Sequence, residues 1–318
     1  MEQEKRIQYF PIALFSSVMG VSGVAISIRL YETMQGWNNV FSNIVMFLAT
    51  VMFIINGIIL MYRIVRFRPG VKEDFNHPVK MNFFGAISIS LLLLAVLYYD
   101  MNIFLSFILW ISGALLQTWL TLAVLSKLIW EKEFKLAQFN PTWFIPIVGN
   151  IVVPLAGVFH VDPIINWIFF SVGIVFTVVY LTIFVNRIIF QPSLPKPLVP
   201  TFFILIAPPG IGFISYVKLV GEVDAFAYIL YGIAFYFGLL FTYQLKRFFT
   251  IPFFVSWWAY LFPSAAVTNA TIYLYNETSL TYIYWLLICQ LIALLILTLV
   301  LFWKTIGMVR KKTLCTKE

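Results

Sequence analysis

Apolar runs of about 20 residues recur along this chain with only short polar breaks between them. Inside lipid every backbone N–H and C=O must find a partner within the protein, which leaves helices or a closed barrel, and the runs are too long for barrel strands. Composition agrees: 62% of the 318 residues are hydrophobic, 11% are charged and mean hydropathy is +0.94, which excludes a water-soluble fold. The expected fold is all-α and integral to the membrane. Ten transmembrane helices are predicted at approximately 11–30, 41–64, 81–99, 103–129, 142–159, 164–190, 199–219, 224–248, 252–275 and 280–308.

Pro11, Pro78, Pro141, Pro200 and Pro252 each open an apolar stretch. They stand at intervals of roughly 50–70 residues, about what two spanning helices and their turns require. Each such stretch is followed by a second that ends in Lys or Arg. The chain therefore reads as five membrane hairpins, approximately 11–64, 81–129, 142–190, 199–248 and 252–308, within a single domain covering 1–318.

The formal net charge of +8 invites a nucleic-acid partner, but its distribution explains it without one. All but two of the 21 basic residues fall in the termini and in the loops after the even spans, among them Arg63, Arg66, Arg68, Lys127, Lys132, Arg187, Lys246, Arg247 and Arg310 to Lys312. The opposite loops hold only Arg29 and Lys218, together with Glu32, Asp100, Asp162, Glu222, Asp224 and Glu277. Basic residues gather on cytoplasmic loops, so both termini are expected in the cytoplasm. Cys289 lies in the last apolar run and Cys315 in the tail, which rules out a disulfide framework. The first run has no small-residue cleavage site and is kept as a mature helix. Asn276-Glu277-Thr278 fits a glycosylation sequon, a triplet common by chance.

Small, polar or proline residues recur along one face of each odd span. Ser16, Gly20, Gly23 and Ser27 align in the first; Pro146, Gly149, Asn150, Val153 and Gly157 in the fifth; Thr201, Pro208, Gly212 and Ser215 in the seventh; and Val255, Ala259, Phe262, Ala266 and Asn269 in the ninth. The third is less regular and offers Phe84 and Ser88 beside Gly85. Small residues let membrane helices approach closely, which is their commonest use. Their concentration on odd spans suits five helices around a central lumen with five outside. Pro146, Pro154, Pro208, Pro209 and Pro263 would bend those inner helices, as is tolerated where freed carbonyls meet protein or a water-filled cavity.

No Asp, Glu, Lys or Arg falls in the central part of any predicted span, and His77 and His160 sit at loop edges. Proton-coupled carriers need a titratable group at depth, and metal carriers need carboxylate, thiol or imidazole ligands. Gly-rich phosphate loops and convergent Ser, His and Asp are also missing, so neither an ATP-driven pump, an enzyme nor a cofactor is expected. A pore lined by Ser, Thr, Asn and bent backbone would pass small ions without holding them, with the basic rim favouring anions. Water or neutral solutes would suit the same uncharged walls.

Five stretches carry a family resemblance: Phe10-Pro11 through Gly23, HPVKMNFFGAISISLLLL at 77–94, NPTWFIPIVGNIVVPLAG at 140–157, PTFFILIAPPGIGFISY at 200–216 and FVSWWAYLFPSAAVTNATI at 254–272. They resemble the tellurite-resistance/dicarboxylate transporter family, that of TehA-like proteins and plant guard-cell slow anion channels. The resemblance implies ten helices with quasi-fivefold symmetry about a pore, a homotrimer with one pore per subunit, and passive conduction of small anions such as chloride and nitrate, with malate or sulfite at the larger end. It also implies a gating phenylalanine on the ninth helix, here Phe262. Phe84 is a second constriction candidate, and Gly85 stands where relatives frequently have proline. The candidate lining is Ser16, Gly20, Gly23, Ser88, Pro146, Asn150, Pro208, Gly212, Ala266 and Asn269. The rival reading is a secondary transporter for dicarboxylate, sulfite or tellurium oxyanions.

Overall fold

A computed structural model describes residues 6–131 and 134–315; Lys132, counted above among the basic residues, lies outside them. Among the described residues the chain is helical, with no strand. In order the α-helices are α1 (Phe15–Met34), α2 (Val40–Arg66), α3 (Arg68–Asn76), α4 (Gly85–Tyr98), α5 (Ile103–Trp130), α6 (Phe144–Val148), α7 (Pro154–Gly157), α8 (Pro163–Phe190), α9 (Ala207–Val220), α10 (Ala225–Tyr243), α11 (Leu245–Phe249), α12 (Leu261–Thr278) and α13 (Thr281–Arg310). Eight helical stretches of the described residues are long and apolar enough to cross a membrane, and Pro141–Gly157 is a shorter apolar one. The protein is an all-α, multi-pass membrane protein.

Each predicted odd span begins not as an α-helix but as a 3₁₀ stretch running straight into one. These are Ile12–Leu14 before α1, Lys80–Phe84 before α4, Pro141–Trp143 before α6, Lys196–Ile206 before α9 and Val255–Tyr260 before α12. A 3₁₀ turn rises about 2.0 Å per residue against about 1.5 Å for an α-helix. The 14 residues of α4 would reach only ~21 Å, short of the ~30 Å hydrocarbon core, and their five-residue 3₁₀ lead adds ~10 Å. The predicted continuous span at 142–159 is instead broken, α6 giving way to a 3₁₀ turn at Gly149–Val152 before α7. Pro146 and Pro154 each lack the N–H that an unbroken helix would use there.

Odd and even spans differ in where their apolar surface goes. In the apolar stretches of Ile12–Met34, Lys80–Tyr98 and Lys196–Val220, between 72 and 83% of residues are buried, against 22 to 33% in α2, α5, α8, α10 and α13. The first set forms the interior, and the second turns aliphatic and aromatic side chains outward, with Trp37, Trp130, Trp285, Trp303 and Tyr243 exposed at the span ends as in an aromatic belt.

Small residues make the interior contacts. A Cβ on Gly20 would sit 2.8 Å from Leu261 Cβ, and one on Gly23 3.0 Å from Ala265 Cβ, so α1 lies directly against α12. The tightest approach involving backbone is at Gly173 of α8, where a Cβ would meet Ile151 Cγ1 at 2.3 Å and the Ile151 backbone N at 2.8 Å. Backbone cannot swing aside as a side-chain tip can. Gly173→Ala is therefore expected to cost about 1–3 kcal/mol, read as a lowered melting temperature of the detergent-solubilised protein.

The polar groups at the end of the bundle opposite the basic loops have structural work. Asn102, Asp162 and Asp224 cap the first turns of α5, α8 and α10, accepting from Leu105 N at 2.9 Å, Ile164 N at 2.8 Å and Ala227 N at 2.9 Å. Glu32 does the same for α2 from one helix earlier, through Phe41 N at 2.9 Å and Ser42 N at 3.1 Å. Several carboxylates opposite the basic loops are thus where even helices start. Arg29 donates to Leu97 O and, at 2.7 Å, to Asn43 Oδ1, and Lys218 donates to Leu155 O at 2.9 Å.

Candidate functional site

Two cavities lie in succession along the interior helices. The wider, of about 380 Å³, is lined by Phe10 to Ala13, Val79, Lys80, Phe83, Pro197, Leu198 and Phe254 to Ser256, with Gln8 and Leu314 placing both ends of the described chain beside it. The narrower, of about 40 Å³, is lined by Ser16, Met19, Ile89, Phe144, Ile145, Val148, Ile204, Ala207, Pro208, Ile211, Ala259, Phe262 and Pro263, among others. In four odd spans the lining residues advance in step from the first cavity to the second: 12–13 to 16–19, 79–83 to 89, 197–198 to 204–211 and 254–256 to 259–263. The two cavities are therefore stacked along one axis, the wide one at the end that carries the termini.

A positional rule governs the narrow cavity. The second residue of an α-segment lines it in α1 (Ser16), α6 (Ile145), α9 (Pro208) and α12 (Phe262). The residue three further on does so in α1 (Met19), α4 (Ile89), α6 (Val148) and α9 (Ile211). In α12 that position is Ala265, which is instead pressed against Gly23. Each 3₁₀-to-α junction thus delivers its first turn to the same level. At about 40 Å³ the space holds roughly two or three water-sized particles.

Charge is confined to the wide cavity. Arg63 there donates to Phe10 O at 2.8 Å and pairs with Asp74 at 2.8 Å, and Lys80 approaches the same carboxylate at 3.3 Å. In the narrow cavity Ser16 carries the one polar side chain among the described lining residues.

The remaining candidates take other positions. Gly20 meets Leu261, and Gly23 meets Ala265 and the edge of the Phe262 ring. Gly212 faces Ile174 and Leu230, and the Ala266 Cβ lies about 3.5 Å from where Gly210 would carry its own. The one hydroxyl hydrogen of Ser88 has two acceptors within reach, Gln117 Oε1 at 2.5 Å and Gly85 O at 2.9 Å. Asn150 donates to Thr121 Oγ1 at 2.8 Å and Ile147 O at 2.6 Å, and Asn269 is buried with its Oδ1 unpartnered. Phe84 packs edge-on against Phe75 of α3, ring centroids 5.2 Å apart, and Phe75 stacks on Trp119 at 5.6 Å. The small-residue stripe thus mostly marks contacts between helices, because close approach is what small residues permit.

Sequence reasoning passed over the polar side chains of α5 that hold the broken stretch Pro141–Gly157. Gln117, fully buried, donates through Nε2 to Pro146 O at 2.8 Å, and Thr121 Oγ1 reaches the same carbonyl at 2.8 Å. Trp110 Nε1 donates to Val153 O at 3.0 Å. Gln117 and Thr121 one turn apart, on one face of a long helix, were the available signal. Of the two histidines, His77 Nδ1 accepts from Val79 N at 3.1 Å. His160 Nε2 donates to Ser106 Oγ at 2.8 Å, since that hydroxyl's own hydrogen goes to Ala95 O at 2.7 Å. Burial holds the His160 imidazole below its ordinary value.

The family profile described as SLAC1, voltage-dependent anion channel, matches residues 9–306, and the chain belongs to that family. It is 26% identical to an uncharacterized transporter of Methanocaldococcus jannaschii over 92% of this chain and 95% of that one. It is 27% identical to the S-type anion channel SLAH3 of Arabidopsis thaliana over 91% of this chain, and 24% identical to the guard cell S-type anion channel SLAC1 of the same plant over 85%. Of those two plant channels it covers 47% and 50%. Its homologues are thus anion channels and transporters.

Proposed function

We propose that this chain is a passive anion channel of the cell (inner or plasma) membrane. In this reading the helices above, with the broken stretch 141–157 and α12 included, make ten spans in five hairpins. The odd members surround the pore with quasi-fivefold symmetry, both termini are cytoplasmic, and three copies assemble with one pore each. The observation that carries it is the stacking of a wide mouth on a narrow throat that four odd spans line in step, with Phe262 at the narrow level.

Phe262 throttles conduction. Its ring stands among aliphatic side chains in a space of two or three waters, where a large apolar group blocks both by bulk and by dewetting. Anions are favoured because basic residues concentrate at the mouth end and no carboxylate lines the throat. The absence of any titratable side chain among the described throat residues also supports uncoupled flow, as against a carrier for dicarboxylate, sulfite or tellurium oxyanions.

Reversal potentials of the reconstituted protein in asymmetric chloride and nitrate should follow the anion gradient. A reversal that tracks the cation, or flux strictly dependent on a proton gradient and saturating at low turnover, would count against a passive anion channel.

A further inference from the structure

Serines in these helices mostly satisfy themselves on a carbonyl within reach. On α1, Ser17 Oγ donates to Leu14 O at 2.6 Å and Ser27 Oγ to Gly23 O at 3.1 Å; on α4, Ser90 Oγ donates to Ala86 O at 2.6 Å. Ser16 and Ser22 of α1 depart from this, both buried with no hydrogen-bond partner for Oγ, and of the two it is Ser16, 2% exposed, that lines the narrow cavity with Phe262. A buried hydroxyl left unpaired costs free energy, so one that persists in a water-sized cavity marks a place where an occupant completes it.

We propose that Ser16 is a one-donor subsite at the Phe262 constriction, giving its hydroxyl hydrogen to a small monovalent anion that has shed part of its water. The inference rests on the channel reading above and adds to it a residue that sets preference among anions. Two properties of the cavity define the occupant. Its volume of about 40 Å³ excludes a dicarboxylate in an extended pose. Its apolar walls return nothing for lost hydration, and that loss grows steeply with charge, which disfavours divalent oxyanions.

The hydroxyl replaces one lost water. A hydrogen bond to an ion is roughly twice as strong as one between neutral groups, and it is strongest where the charge is compact. Chloride therefore gains more from Ser16 than the larger, more diffuse iodide does. The bare apolar throat favours iodide, whose hydration is the easier to strip, and Ser16 narrows that gap.

The test is the chloride-to-iodide permeability ratio from bi-ionic reversal potentials of the full chain in planar bilayers. Ser16→Ala and Ser16→Gly are each made in the wild-type chain and in Phe262→Leu, which removes the ring but keeps an apolar wall. Both substitutions should lower the ratio by about three- to tenfold with current retained. The Gly variant separates loss of the donor from a change of volume. A ratio unchanged in both, or changed in only one, with current intact, would overturn the subsite and leave the channel standing. No anion current from folded wild-type, Phe262→Leu and Phe262→Ala protein alike would overturn the channel reading and this inference with it.

Discussion

Phe262→Ala is expected to raise anion current about tenfold or more, since lowering the barrier at the constriction by only ~1.4 kcal/mol suffices for a factor of ten. The ring occupies the second position of α12, at the level where Ser16, Ile145 and Pro208 meet around about 40 Å³. Removing the six ring carbons is what would let the space fill with water. Phe84→Ala is the matched control. Its ring packs on Phe75, 5.2 Å away centroid to centroid, and does not line the narrow cavity, so current should stay near wild type. Single-channel or macroscopic recordings of reconstituted protein, normalised to the amount that elutes as a single species, read both. Equal currents from wild type and Phe262→Ala, both conducting, would remove Phe262 from the role of gate.

The second large effect concerns stability. Pro146 O accepts from Gln117 Nε2 where the helix between Phe144 and Gly157 breaks, and it shares the one hydroxyl hydrogen of Thr121 with Gln117 O, each 2.8 Å from Oγ1. Gln117→Leu and Thr121→Val are close in shape to what they replace, and each alone leaves that carbonyl one donor. Together they leave it none, strip Ser88 of its Gln117 acceptor, and strip Asn150 of its Thr121 acceptor. An unpaired buried polar group costs about 1–3 kcal/mol, so the double variant should lose ~3 kcal/mol or more. The pair should also be worse than the sum of the singles, because the carbonyl is orphaned only once. Thermal unfolding in detergent of the four proteins of the cycle measures this, and strict additivity would show that the two donors do not share one acceptor.

Much of the architecture was legible because long apolar runs and their basic ends are strong signals. The prediction of helices at 41–64, 103–129 and 164–190 meets α2, α5 and α8 within a few residues. The break after Phe144 was less legible. Pro146 and Pro154 announced strain, but how the chain resolves it depends on Gln117 and Thr121 arriving from another helix. The narrow cavity was harder still. Met19, Ile89, Val148 and Ile211 line it, and nothing in their chemistry sets them apart from the aliphatic residues that face outward. Where core and surroundings are both apolar, hydrophobic patterning loses its power to say which side of a helix faces in. Small and polar residues stood out instead, and close helix contacts and side-chain clamps claimed most of them.

The carboxylate and amide caps at the starts of α2, α5, α8 and α10 bear on how the molecule is made. Each cap closes the exposed N–H groups of a long outer helix immediately after an inner one has ended, so the turn between the two is self-sufficient before any later segment exists. An inner and outer pair can thus leave the ribosome, cross into lipid together and wait, with the chain's remaining pairs docking onto small-residue faces already in place.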